Sequence, residues 1–135
     1  DKYMADKKRV ILIVDDDSFL LDMYAFKFNQ NNFEVHTATN GVGGIEKLKG
    51  GLKPDAILFD IMMPEMDGFE MLEQINNENL SPDSVKIVLS NKNQQEDITR
   101  GNNLGVWGYI VKANFTPAEV INQVKEVLDK KEVKQ

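Results

Sequence analysis

Ile57-Leu58-Phe59-Asp60-Ile61-Met62-Met63-Pro64-Glu65-Met66-Asp67-Gly68 is the stretch on which the fold turns. An apolar run that begins at Ala56 drives straight into an acidic residue, and Pro64 and Gly68 bracket the turn that follows. A short run without polar alternation reads as a strand buried on both faces, as inside a parallel sheet. Asp60 then stands at the carboxyl end of that strand, where open α/β sheets hold their ligands. Aspartate is also a common turn residue, so Asp60 alone would read as a cap. The rest of the chain separates the two readings.

Upstream, Val10 to Val14 is a second buried-strand run, ending in Asp15-Asp16-Asp17-Ser18. Leu20, Leu21, Tyr24, Ala25 and Phe28 recur at helical spacing until Asn31-Asn32 stops them. Phe33, Val35 and Thr37 alternate as a strand, and Gly41 to Lys49 reads as a short helix closed by Gly50-Gly51. Downstream of Asp60, a helix is expected from about Asp67 to Asn77, with Phe69, Leu72 and Ile75 inward. Val85 to Leu89 is the fourth strand, interrupted by Lys86 and so expected to be less completely covered; it ends at Ser90-Asn91. Lys92 to Asn103 reads as a polar, weakly amphipathic helix and the least stable element. Trp107 to Val111 is the fifth strand, ending at Lys112. Thr116-Pro117 opens the last helix, with Val120, Ile121, Val124, Val127 and Leu128 as its inward stripe. Asp129 to Gln135 is expected to dissolve into solvent.

Strands alternating with helices in this way predict a three-layer α/β sandwich. Right-handed crossovers narrow the topology to a five-stranded parallel sheet in the flavodoxin-like order 2-1-3-4-5. One domain is expected over residues 9–131, after a disordered or vector-derived tail at 1–8 and before a polar tail at 132–135. The 135 residues suffice for a real core without staples. Without cysteine there is no disulfide framework and no thiolate metal site. The net charge of -6 argues against nucleic acid as a direct ligand. Apolar runs too short to span a bilayer, with no secretory signal, make no membrane partner and a cytoplasmic location the expectation.

The polar residues fall in a pattern. Strands one, three, four and five end in Asp15 and Asp16, Asp60, Ser90, and Lys112 respectively. A parallel sheet brings all these ends to one edge, and strands one and three are neighbours at the switch point. At about 5 Å and an effective dielectric near 20, each pair of ionised carboxylates repels by roughly 3 kcal/mol. A hard divalent cation relieves such repulsion, and oxygen-only ligands with room for water suit Mg²⁺. Asp17 or Ser18 is accounted for by capping the first helix, but capping leaves the clustering unexplained. Mg²⁺, a Lys ammonium and a small hydroxyl make a clamp for the three oxygens of a phosphoryl group. Asp60 is then placed as the nucleophile that takes the group as an acyl phosphate. Nothing supplies a purpose-built base for water, so transfer to Asp60 should outpace release from it.

Four pieces together resemble the receiver domain of two-component response regulators, of the chemotaxis-regulator kind, over about Arg9 to Leu128. They are Ile11-Leu12-Ile13-Val14-Asp15-Asp16-Asp17, Asp60 through Gly68, Val88-Leu89-Ser90 and Gly108-Tyr109-Ile110-Val111-Lys112. The resemblance implies that Asp60 takes a phosphoryl group from the phosphohistidine of a sensor kinase or histidine phosphotransfer protein. Asp16, Asp60 and the Met62 backbone carbonyl would hold Mg²⁺, with Asp15 acting mostly through water. Ser90 and Lys112 would grip the phosphoryl oxygens, and Tyr109 would swing inward when Ser90 moves. The resemblance implies a signalling phosphoacceptor with self-phosphorylation and slow autodephosphorylation rather than a turnover enzyme. It would signal to a downstream protein through the face of the fourth helix, fifth strand and fifth helix, with a phosphorylation-dependent dimer as a further expected state.

Two positions depart from the family pattern. Ala113 stands where Pro usually follows the Lys, and Asn91 where Ala usually follows the hydroxyl residue; the loop to Phe115 is one residue longer. A cis Lys112–Ala113 bond would cost about 2.5–4 kcal/mol against trans. A trans bond, with the longer loop still aiming Lys112 at Asp60, is therefore expected. Met62 and Lys92 occupy positions that in the family tune phosphoryl lifetime. His36 reads as an exposed strand residue beside Glu34, so the phosphohistidine must come from a partner. Gly41-Val42-Gly43-Gly44 reads as a turn opening a helix and lacks the spacing of a dinucleotide loop. Two competing functions are a phosphorylation-independent interaction module on the same fold and a haloacid-dehalogenase-type phosphatase. The second wants an Asp where Met62 stands.

Overall fold

The computed structural model describes residues 7–134; the expected tail at 1–8 lies outside them except for Lys7 and Lys8. Five parallel strands form one sheet: β1 (Arg9–Val14), β2 (Phe33–Ala38), β3 (Ala56–Phe59), β4 (Val85–Ser90) and β5 (Gly108–Val111). Their order is β2-β1-β3-β4-β5, as expected, with Val14 opposite Phe59 and Phe59 opposite Val88. Five helices alternate with them: α1 (Ser18–Gln30), α2 (Gly41–Lys49), α3 (Gly68–Asn77), α4 (Gln95–Asn103) and α5 (Pro117–Lys134).

Unbroken apolar strands make sense because successive side chains enter opposite faces and both faces are covered. Ile11, Ile13, Leu58, Ile87 and Leu89 point into one core, against Leu21, Tyr24 and Phe28 of α1 and Val120, Ile121, Val124 and Leu128 of α5. Leu12, Val14, Ile57, Phe59 and Val88 point into the other, against Ile45 and Leu48 of α2 and Phe69, Met71, Leu72 and Ile75 of α3. Polar caps set the helix starts. Asp17 accepts from the Phe19 and Leu20 amides, Asn40 from Gly43, and Asp67 and Glu70 form a reciprocal box. Thr116 and Glu119 form a second box around Pro117, the first residue of α5.

Three expectations need correction. β4 is buried along its whole length, Lys86 included. The aliphatic stem of Lys86 fills core space while its ammonium donates to the Ser81 carbonyl. α4 starts three residues later than read, because Lys92 is held in the preceding loop: its amide donates to Ser90 Oγ and its ammonium meets Asp97 at 2.8 Å. The charged end of the chain does not dissolve into solvent at Asp129; α5 continues to Lys134. Arg9 bonds Asp129 at 2.6 Å and Glu132 at 2.9 Å, Lys131 donates to the Asp83 carbonyl, and Lys134 lies over the Trp107 ring. Each exposed contact is worth about 0–1 kcal/mol, but together they lie along the added turns. No helix of the described residues is long and apolar enough to cross a membrane.

The turn from β3 to α3 sets the edge of the sheet. Gly68 packs so closely under it that a Cβ would lie 2.2 Å from the Asp60 carbonyl oxygen and 2.9 Å from Ile61 Cα. Its amide donates to Ile61 O at 2.9 Å, locking the turn. Neither obstruction is a movable side chain, so Gly68→Ala should cost about 3 kcal/mol, the upper end of overpacking, and lower Tm by about 10 °C. A thermal melt within a degree or two of the wild type would show that the turn yields.

Candidate functional site

β1 and β3 are adjacent, and each runs one residue past the ladder into an aspartate. The Asp60 amide donates to Val14 O and the Asp15 amide to Ala38 O, so both backbones are fixed by sheet-like bonds. Asp15 and Asp60 are buried and Asp16 is exposed, yet one oxygen from each lies within 4.8 Å of the others. Each buried carboxylate divides its oxygens in the same way. Oδ1 accepts from the amide two residues on, Asp17 for Asp15 and Met62 for Asp60. Oδ2 of each accepts from the ammonium of Lys112, at 2.7 and 2.8 Å.

Lys112 leaves the end of β5 on a 3-10 turn, Lys112–Asn114, and its side chain is only 10% exposed. All described peptide bonds are trans, including Lys112–Ala113, and the ammonium still reaches Asp60 as expected. Burial pulls the Lys112 pKa down, but the two carboxylates outweigh it, leaving a net rise. For Asp15 burial prevails: its carboxyl is raised despite Lys112 and the Asp17 amide, with the negative Asp60 adding to the rise. The ammonium leaves the three carboxylates formally short of two positive charges.

Ser90 ends β4, is fully buried, and uses Oγ to accept from the Lys92 amide. Tyr109 on β5 is half-buried; its ring rests against Gly101 of α4 and its hydroxyl donates to the Lys92 carbonyl. The Met62 side chain is exposed at the rim. Thus the edge brings together Asp15, Asp16, Asp60 and Lys112, with Ser90 and Tyr109 joined to each other through Lys92. His36 lies on β2, paired with Glu34 at 2.8 Å. Two sets of contacts have no counterpart in the sequence pattern. Lys92 bonds Ser90, Tyr109 and Asp97 at once, and Asn91 Oδ1 accepts from the Ala113 amide at 2.8 Å. The only advance signal for the second was that both residues depart from the family pattern.

Residues 11–125 match the family model of the response regulator receiver domain. The chain belongs to that family. It is 36% identical to the chemotaxis protein CheY of Thermotoga maritima over 87% of this chain and 95% of that one. It is 31% identical to the alkaline phosphatase synthesis transcriptional regulatory protein PhoP of Bacillus subtilis, over 91% of this chain and 50% of that protein. The receiver chain thus spans about half the length of such transcriptional relatives. A CheY-like receiver domain protein from Methanospirillum hungatei superposes with a TM-score of 0.86 at 31% identity, covering 96% of this chain and 100% of that chain.

The receiver's Tyr109 hydroxyl is pushed up to about 12, first by burial and then by the negative charges of Asp97 and Asp60. A raised phenol means that the fold favours the neutral form. That contribution is whole below the ordinary tyrosine pKa of about 10 and is lost as pH rises through the folded value. The difference in phenolate absorbance between wild type and Tyr109→Phe should therefore show one tyrosine titrating near 12. A midpoint at the ordinary value would place the ring in free solvent.

Proposed function

We propose that Asp60 is the phosphoacceptor of this receiver, taking a phosphoryl group from the phosphohistidine of a cytoplasmic sensor kinase or phosphotransfer protein. The observation that carries the reading is the Lys112 ammonium held between Asp60 and Asp15 at the open edge of the sheet. An Asp60 oxygen attacks phosphorus, the O–P bond forms, and the N–P bond breaks with its electron pair returning to the imidazole. Lys112, held against Asp60, would meet the phosphoryl oxygens, and Ser90 Oγ, at the end of the neighbouring strand β4, would bond them on giving up the Lys92 amide.

The donor set suits Mg²⁺: three carboxylates, no softer ligand, and one exposed member, which leaves room for water. Asp16, Asp60 and the Met62 carbonyl would hold the ion, with Asp15 acting through water. When bound it supplies positive charge against the phosphoryl oxygens. The ordinary work of the chain's own residues is to bury Asp60, orient it through the Met62 amide, and keep Lys112 against it.

Ser90, Lys92 and Tyr109 are bonded in series from the end of β4 to the Tyr109 ring of β5 against α4, which supports signal output on the α4–β5–α5 face to a downstream protein or a second phosphorylated copy. Such a switch needs only a bias of a few kcal/mol between two packings.

Incubation with acetyl phosphate and Mg²⁺ should add one phosphoryl mass to the wild type and none to Asp60→Asn. Equal labelling of both would falsify the assignment. No label on either would favour the phosphorylation-independent module, and continuous turnover a phosphatase. Amide shifts on a stable phosphoryl mimic should cluster on α4, β5 and α5.

Asp16→Asn tests the cation separately. Removing one of the mutually repelling carboxylates should raise Tm in chelator by a few degrees and abolish the stabilisation that Mg²⁺ gives the wild type. Unchanged melting in both conditions would sink the proposed ion site.

A further inference from the structure

The β4–β5 ladder ends with Ser90 opposite Val111. Beyond it both strands run out of the sheet, one into the loop before α4 and the other into the 3-10 turn Lys112–Asn114. One more rung is nevertheless made, with a side chain standing in for backbone: Asn91 Oδ1 accepts from the Ala113 N–H at 2.8 Å. Asn91 directly follows Ser90, and Ala113 directly follows Lys112. The bond therefore ties together the strand ends that carry the hydroxyl and the ammonium of the site.

We propose that Asn91 is a positioning residue for Lys112, its side-chain carbonyl holding the Ala113 amide so that Lys112 leaves β5 at the height from which its ammonium reaches both Asp15 and Asp60. The proposal rests on the reading of Asp60 as phosphoacceptor. Its physical basis is the freedom of the residues involved. A lysine stem has four rotatable bonds, so the placement of its ammonium depends on how firmly the main chain beneath is held. On one side Lys112 is held by Val111 in the ladder. On the other it enters a turn whose first amides have no partner within the turn itself. Asn91 supplies the acceptor for the nearest of these, Ala113 N–H.

Both partners are exposed, so water can replace the bond at little cost to the fold, though not to its geometry. The effect should thus fall on reaction rate much more than on melting. Displacement by a fraction of an ångström at a reacting centre is worth about tenfold in rate, given that a full ångström can cost about a hundredfold.

The experiment measures labelling of Asp60 by acetyl phosphate and Mg²⁺ by intact mass, with thermal melting alongside. Asn91→Ala should label about tenfold more slowly than the wild type, with Tm changed by no more than a few degrees. The same substitution in an Ala113→Pro background should have no further effect on rate, because proline has no N–H for Asn91 to hold. An Asn91→Ala protein that labels as fast as the wild type, or faster as an unblocked gate would, overturns the proposal. So does a slowing that persists undiminished in the Ala113→Pro background. Should Ala113→Pro fail to fold, hydrogen exchange decides: the Ala113 amide should be protected in the wild type and lose protection in Asn91→Ala. An unprotected wild-type amide overturns the proposal. A wild type that takes no label defeats the phosphoacceptor reading and this proposal with it; a labelled wild type with an unslowed Asn91→Ala defeats this proposal alone.

Discussion

The ammonium of Lys112, 2.7 Å from Asp15 and 2.8 Å from Asp60, is the contact on which the architecture of the sheet edge depends. Parallel strands can end in acids only if something answers the charge, because burying a carboxylate beside another is costly in a low-dielectric setting. Here the answer comes from β5, two strands away from β3 in the sheet order, carried over by a side chain long enough to bridge the gap. The consequence is that β1, β3 and β5 are coupled electrostatically at one end, in addition to the ladders that join neighbours. Removing the lysine would leave two buried acids without a cation, a change that typically costs about 3–5 kcal/mol.

A second set of polar contacts starts at Ser90, at the end of β4 between β3 and β5. Ser90 Oγ holds the Lys92 amide, the Lys92 carbonyl holds Tyr109, and the Lys92 ammonium holds Asp97 in the first turn of α4. The pull of Lys92 keeps the Asp97 carboxyl below its ordinary range. α4 buries only Asp97 and Gly101, neither of which brings an apolar side chain to the core. Its position is therefore set by directional bonds, among them Arg100 to Glu73 at 2.8 Å and the same guanidinium over Phe69. An element held by exchangeable polar contacts can change packing at small cost, whereas α1 and α5, which bury aromatic and branched side chains, cannot.

The layered fold was legible because its cause is periodic: apolar runs bounded by turns, and helical stripes bounded by caps. The acid cluster was legible because strand ends in a parallel sheet share an edge. What escaped reading were contacts between loops. Lys86 looked like a break in β4, since a sequence records its charge but not the Ser81 carbonyl waiting for it. Asp129 to Lys134 looked like a solvated tail, since its partner Arg9 lies at the far end of the chain. Helical propensity is local and extends the helix back to Lys92, whereas the bond to Ser90 Oγ that withholds it is a feature of the site.

Asn91 and Ala113 carry the same lesson further. Taken singly, each is a substitution that weakens an expected feature: one adds bulk beside the hydroxyl, the other removes the ring that would stiffen the turn. Together they exchange one means of restraint for another. Proline restrains a turn covalently and offers no amide, so a neighbouring acceptor would have nothing to bind. Alanine frees both the backbone and an N–H, and an asparagine across the strand gap can restrain the first by accepting from the second. A trans bond at this position also avoids the roughly 2.5–4 kcal/mol that a non-proline cis bond would cost. The two departures meet in one hydrogen bond, legible only when the strand order brings positions 91 and 113 side by side.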